Sequence, residues 1–322
     1  MISFNEIEKF RFLVTGGAGF IGSNIVEVLV KHGCFVRVLD NLSTGKRENI
    51  EAFMGNSNFE FVKGDIRDIS TCRKACDGID YVLHQGALGS VARSVADPVT
   101  TNEVNVSGTL NMMIAAREGM VKRFVYASSS SVYGDEPNLP KQEDRVGIPL
   151  SPYAVSKKVN ELYAKNFYDI YGLQTIGLRY FNVFGKRQDL NSDYAAVIPI
   201  FTRNIITGRA CVIHGDGEQS RDFTYIDNVV EANLKACTAG SDAFGNVVNI
   251  ACSSSITINS LYKKICRLLG KETECIYGPG RIGDVRHSIA DISRAEKLLD
   301  YHPGVHFDKG LELTVDWYTR NI

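Results

Sequence analysis

The chain has 322 residues, 44% of them apolar and 23% charged, a composition that belongs to a folded globular protein and not to a disordered one. Thirty-six Lys and Arg oppose 37 Asp and Glu, and the resulting net charge of −1 offers no basic field to nucleic acid or to an anionic membrane. No apolar run reaches the ~18 residues of a membrane span, and the early acids of Met1–Glu8 leave no signal core, so a cytoplasmic protein without nucleic-acid or membrane partners is expected.

Apolar runs at Phe12–Thr15, Phe35–Asp40, Phe59–Gly64, Tyr81–His84, Arg123–Ala127 and Thr175–Arg179 read as strands. Helix-like stretches cover Gly22–His32, Thr100–Glu118 and Tyr153–Tyr171. Strands alternating with helices predict an α/β fold: a Rossmann-type, doubly wound parallel sheet. Beyond Asn182 the pattern loosens, with helices near Ala232–Ala239, Ile258–Leu269, Ile292–Leu299 and Phe307–Tyr318. The expected division is a dinucleotide-binding domain over 1–181, with a contribution from about 223–251, and a smaller mixed α/β substrate lobe over 182–322. Eight scattered cysteines show no CxxC and no paired His, so packed, reduced thiols and no metal site are expected.

Strand one runs into Gly16-Gly17-Ala18-Gly19-Phe20-Ile21-Gly22 and then an apolar helix. In that context glycines let the backbone turn tightly and approach a pyrophosphate held by the helix N-terminus. Strand two ends in Asp40-Asn41, eighteen residues past Gly22. An acid there accepts from the adenosine ribose and repels a 2′-phosphate, which selects NAD; Arg47 nearby keeps NADP as the alternative. Asp65, closing strand three, reads either as a partner of the adenine amino group or as an exposed loop acid.

Strand five leads into Ser128-Ser129-Ser130-Ser131-Val132-Tyr133-Gly134, and Ser151-Pro152-Tyr153-Ala154-Val155-Ser156-Lys157 follows. Ser151 suits a helix cap and Pro152 the first turn, so Tyr153 and Lys157 fall one turn apart on one face. A phenol with a pKa near ~10 is a poor base at neutral pH, and an ammonium held beside it favours the phenolate. A hydroxyl from the end of strand five can then share the proton.

With these motifs the chain resembles the extended short-chain dehydrogenase/reductases, most closely the UDP-hexose 4-epimerases that act on N-acetylated sugars. The likeness extends to Leu178–Gln188, Arg221-Asp222-Phe223 and Gly283–Asp291. It implies a cofactor site for NAD built from Gly16, Gly19, Phe20, Ile21, Gly22, Asp40, Asn41, Asp65, Ile66, Gln85, Gly86, Ala87 and Asn105. It makes Tyr153 the acid/base, Lys157 its tuning partner and ribose ligand, and Ser129 the catalytic hydroxyl. The implied reaction oxidises the sugar at C4 to a transient 4-keto form and reduces it from the opposite face.

The resemblance also implies a UDP-N-acetylhexosamine substrate. Arg221 and Arg281 match diphosphate ligands, Asp284 a partner of the uridine ribose, and Asn182 a residue near the diphosphate. Gly89, Ala196 and Ser288 leave room for a 2-acetamido group, and Ser130 and Gln188 are placed to hydrogen-bond it. Helices around Thr100–Glu118 and Tyr153–Tyr171 resemble those that form a homodimer through a four-helix bundle. The alternatives are the uronic-acid or plain-hexose 4-epimerases and a nucleotide-binding sensor without chemistry. Same-fold dehydratases and decarboxylases place carboxylates where this chain has Ser130 and Ser131, and a serine is no carboxylate base.

Overall fold

The structure, a computed structural model, describes residues 7–190, 196–280 and 286–321. Its first half is β1 (Arg11–Thr15), α1 (Phe20–Lys31), β2 (Phe35–Asp40), β3 (Phe59–Lys63), α2 (Ile69–Cys76), β4 (Tyr81–His84), α3 (Val91–Ala96), α4 (Pro98–Asn102), α5 (Gly108–Glu118), β5 (Arg123–Ser129), α6 (Pro152–Tyr171) and β6 (Thr175–Tyr180). Then come α7 (Val197–Ile206), β7 (Cys211–His214), α8 (Ile226–Thr238), β8 (Asn246–Ile250), α9 (Ile258–Leu269), β9 (Cys275–Gly278), α10 (Ser293–Leu299) and α11 (Phe307–Asn321).

Seven parallel strands form the central sheet in the order β8-β6-β5-β4-β1-β2-β3. Helices cover both faces, so successive strand residues enter different cores. Phe12 and Val14 of β1 join one apolar cluster while Leu13 joins the other. Val125 of β5 likewise opposes Phe124 and Tyr126. The order in which successive strands are added reverses between β1 and β4, and the crevice beyond the carboxyl ends of these strands is where such sheets bind ligands.

Local signals set the catalytic helix. The Ser151 hydroxyl accepts from the Ala154 N–H, Pro152 opens α6 where no N–H is required, and Gly172 ends it at φ +71°. The helix expected over Thr100–Glu118 is interrupted by a π-helical turn, Glu103–Ser107, at whose centre sits buried Asn105. Three helices escape the sequence pattern, among them α3 with only six residues. α2 has only eight residues. α7 carries Pro199 in its first turn, where proline reads as a breaker although the missing N–H has no partner to lose.

All eight thiols are free, and seven of them are buried. Among the described residues no helix is long and apolar enough to cross a membrane.

In β6, a Cβ on Gly177 would lie 2.6 Å from Cζ of Tyr126 and 2.7 Å from Cγ1 of Val247, neither of which can swing away inside the core. Gly177→Ala is therefore expected to destabilise by about 1–3 kcal/mol. Thermal unfolding checks this: a lower Tm with the cofactor still bound is the expected result.

Candidate active site

A cavity of about 280 Å³ opens at the carboxyl ends of β1, β2 and β4. Gly16, Gly19, Phe20, Ile21, Gly22, Asp40, Asn41, Asp65, Ile66, Gln85, Gly86, Ala87 and Gly89 all lie on its wall. Side chains are sterically barred from its floor. A Cβ on Gly22 would run into the Gly16 carbonyl, and one on Gly16, itself at φ +64°, would meet Gly86 at 2.8 Å. No side chain caps α1 and its first turn holds no acid, which leaves backbone N–H groups for an anion.

At the far end the Asp40 carboxylate accepts from the N–H groups of Ala18 at 2.9 Å and Leu42 at 2.8 Å, while burial pushes its pKa up. Each oxygen keeps acceptor capacity for ribose hydroxyls. Arg47, the residue that favours a 2′-phosphate, pairs with Glu51 on the surface and is not on the cavity wall. Asp65 reaches the wall, but Arg67 and Asn41 donate to its carboxylate and hold its pKa at about 2. These residues fit a dinucleotide.

Asn105 does not face the cavity. Its amide accepts from Leu88 N–H at 2.7 Å and donates to Leu88 O and to Ser156 Oγ, pinning the 85–89 loop to α6. Behind it lies buried His84. Thr109 donates to Asn105 O at 2.6 Å, so His84 Nε2 must carry the proton that it gives Thr109. Nδ1 then accepts from Thr15, whose oxygen takes the Gly86 N–H. Burial holds this imidazole neutral, its pKa down at about 3.

Tyr153, Lys157 and Ser129 come together where β5 ends. The Ser129 hydroxyl lies close enough to the Tyr153 phenol to favour its ionised form, and Lys157 Nζ donates to Ala127 O at 2.8 Å. The sequence led us to expect an acidified phenol. Instead burial pushes the Tyr153 pKa up, and only the Ser129 hydroxyl pulls it back. Lys157, its Nζ 5.9 Å from the Tyr153 ring centre, is itself lowered to about 8 by burial, with Glu161 opposing. Both groups resist their charged forms because both have left water.

Of the other serines, Ser128 is buried and donates to Glu161 at 2.6 Å. Ser130 and Ser131 form a 3₁₀ turn after Ser129. Glu161 in turn holds Arg179 through two bonds of 2.8 Å.

A second cavity, about 260 Å³, lies in the smaller lobe. Asn182, Gln188, Ala196 and Arg221 line it, beside Phe201, His214 and Gln219. Asn182 sits at φ +35° and donates to Asp222 O at 3.0 Å. Gln188 Oε1 is buried with no hydrogen-bond partner among the described residues. Ser288 bonds through its N–H to Ser220 O, beside Arg221. Arg281 and Asp284 lie outside the described residues. Among the described residues no group of His, Cys, Asp and Glu could hold a metal ion.

Residues 12–251 match the model of the NAD dependent epimerase/dehydratase family. The chain belongs to that family. Its cofactor is NAD. A solved UDP-N-acetylglucosamine 4-epimerase from Methanobrevibacter ruminantium M1, in complex with UDP-N-acetylmuramic acid, is 41% identical with a TM-score of 0.91, covering 97% of this chain and 99% of that one. A UDP-glucose 4-epimerase from Thermotoga maritima, solved with UDP-glucose, is 38% identical with a TM-score of 0.91 over 97% and 99%. A UDP-glucuronate 4-epimerase from Thermodesulfobacterium geofontis is 35% identical over 97% of each chain.

For a member of this family, the buried supports are what sequence reading missed. Thr15, Thr109, Ser128, Glu161, Arg179 and Asp222 carry no motif chemistry that separates them from surface polar residues. Only Arg179, a charge inside a strand of otherwise uncharged residues, signalled an inward ion pair.

The Lys157 charge is a cost to folding. Its pKa is about 8 folded against 10.5 in an unfolded chain, so the penalty is complete below pH 8 and fades as pH rises towards 10.5. Lys157→Met is expected to be inactive yet more stable than the parent at pH 7, by up to about 3 kcal/mol. Denaturant unfolding at pH 7 and pH 10 checks the sign: the advantage must shrink at the higher pH.

Proposed function

We propose that the chain is a 4-epimerase interconverting UDP-N-acetylglucosamine and UDP-N-acetylgalactosamine. The observation that carries the reading is the meeting of the Tyr153 phenol with the Ser129 hydroxyl and Lys157, in a serine turn where no carboxylate stands. In this reading residues 1–181, with about 223–251, hold NAD, and 182–322 hold the UDP-sugar.

Held by the loops at 16–22 and 85–89, NAD would supply the acceptor, and later the donor, of the C4 hydrogen with its electron pair. The protein moves the proton. Tyr153 takes it from the sugar 4-hydroxyl, Ser129 donates to the sugar oxygen while C4 is a ketone, and Tyr153 gives it back after the ring has turned over. Forward and reverse steps mirror one another, so one acid/base suffices. Lys157 favours the phenolate by its charge, which a dry site transmits further than water does. Arg221 and Asn182 anchor the diphosphate, together with Arg281, while Asp284 holds the uridine ribose.

For the sugar, Gly89, Ala196 and Ser288 supply space, and the orphan Gln188 oxygen suits an N–H or hydroxyl donor. The likeness to a UDP-N-acetylglucosamine 4-epimerase at 41% identity agrees with this choice. A second copy of the chain is proposed to pack on the exposed stripe Val155, Leu162 and Ile170 of α6, beside Val91, Val95 and Val99 of α3 and α4.

Incubating purified protein with UDP-N-acetylglucosamine, without added cofactor, and resolving the C4 epimers tests the activity. Tyr153→Phe is expected to cut kcat by about 10²–10⁴-fold. Higher kcat/KM on UDP-glucose or on the uronic-acid sugar overturns the substrate assignment. Sedimentation tests the pairing: the parent should run as a dimer and Leu162→Lys as a monomer.

A further inference from the structure

The turn after β5 fixes the direction in which Ser129 can pass a proton. Ser129 is the last residue of β5 and caps the 3₁₀ turn Ser130–Tyr133. Its Oγ accepts from the Ser131 backbone N–H at 3.2 Å, and the Ser131 hydroxyl donates to the same oxygen at 2.9 Å. A hydroxyl oxygen has two acceptor sites and one proton to give. Ser131 fills both acceptor sites, so what Ser129 has left is its O–H, and the Tyr153 phenol lies near enough for that O–H to favour the phenolate.

We propose that Ser131 is a positioning residue which makes Ser129 a one-way donor towards the Tyr153 oxygen and the sugar oxygen beside it. The inference rests on the reading of Tyr153 as the acid/base. Donation stabilises the phenolate. It also denies a neutral phenol the nearest resting place for its own proton, which leaves the sugar oxygen as its outlet. Without the Ser131 hydroxyl, Ser129 regains a lone pair and can rotate to accept from neutral Tyr153. The neutral phenol then becomes the favoured state, and more alkali is needed to ionise it.

Ser131 carries no charge, so its loss leaves the field around Tyr153 unchanged. That field comes from Lys157 and Glu161 of α6, the second of which is paired with Arg179 of β6. Arg93 and Glu103 lie on the segments packed across α6, Tyr126 lies on β5 and Tyr133 in the turn, and His84 is neutral behind Lys157.

The test compares Ser131→Ala, Ser131→Thr and Tyr153→Phe by kcat, KM and the pH profile of kcat. For Ser131→Ala the expected result is a kcat about tenfold lower at neutral pH, the scale of one hydrogen bond to a charged group. KM and Tm should be unchanged, the acid limb should move to higher pH, and Ser131→Thr should restore the parent profile. If Tyr153→Phe abolishes turnover while Ser131→Ala leaves kcat and its acid limb in place, the Ser131 proposal is overturned and the base assignment stands. A fall in kcat at every pH alike, not restored by Ser131→Thr, also overturns it. Turnover that survives Tyr153→Phe sinks the base assignment itself.

Discussion

Everything at this site depends on an ammonium that is 4% exposed. Lys157 has one near partner, the neutral carbonyl of Ala127 at 2.8 Å, and one counter-charge a turn further along α6, Glu161. Glu161 is committed elsewhere, to Arg179 by two bonds and to Ser128 by a third. Such a pair, well bonded, does little for net stability, but removing one member strands the other. Its value here is geometric. Ser128 lies between Ala127, which holds Lys157, and Ser129, which meets Tyr153, so one buried carboxylate sets the end of β5 against the catalytic helix.

The cofactor side is joined to the same helix by neutral groups. A chain of hydrogen bonds runs from Gly86 N–H through Thr15, His84 and Thr109 to Asn105, and from Asn105 through Ser156 to the carbonyl of Tyr153. Every donor in it has one acceptor, which is why a single His84 tautomer satisfies it. The π turn at Glu103–Ser107 brings Asn105 to the junction, and π turns recur at functional sites for this reason. Between the 85–89 loop and α6, charge is carried by Lys157 and the Glu161–Arg179 pair, while the loop itself is held by neutral groups.

Six of the seven strands were legible in the sequence because strands buried on both faces must be continuously apolar, and because the glycines at 16 and 22 admit no side chain; β8, interrupted by Asn246 and Asn249, was not. Tyr153 and Lys157 were legible from helical spacing. The choice of Ser129 from four successive serines was open on residue type alone. The family resemblance alone selects it; in the structure Ser128 turns inward to Glu161 and Ser129 towards Tyr153, the two faces of one strand. The state of the phenol was misjudged. Spacing puts two groups on one face, but it carries no measure of how much water each has lost, and here that loss pushes both towards their neutral forms.

In the proposed reaction the two ends of the substrate place opposite demands on the protein. The nucleotide must stay fixed while the 4-keto sugar turns over. The fixed end has a rigid cause. Asp222 is fully buried and accepts from Cys252 N–H at 3.0 Å and Ala290 N–H at 3.1 Å, and Asn182 donates to its carbonyl. It ties the loop after β6, the loop after β8 and the segment after 286 to Arg221, its neighbour in sequence. Burial raises its pKa from 3.8 to about 6, so a folding cost builds as pH rises from about 4 and is complete above about 6. A carboxylate kept at such a cost is held for the geometry of its bonds, and that geometry places the arginine. In that reading the free end faces small side chains, glycine at 89 on the wall of the cofactor cavity and alanine at 196 on that of the second, which leave a pyranose ring room to turn.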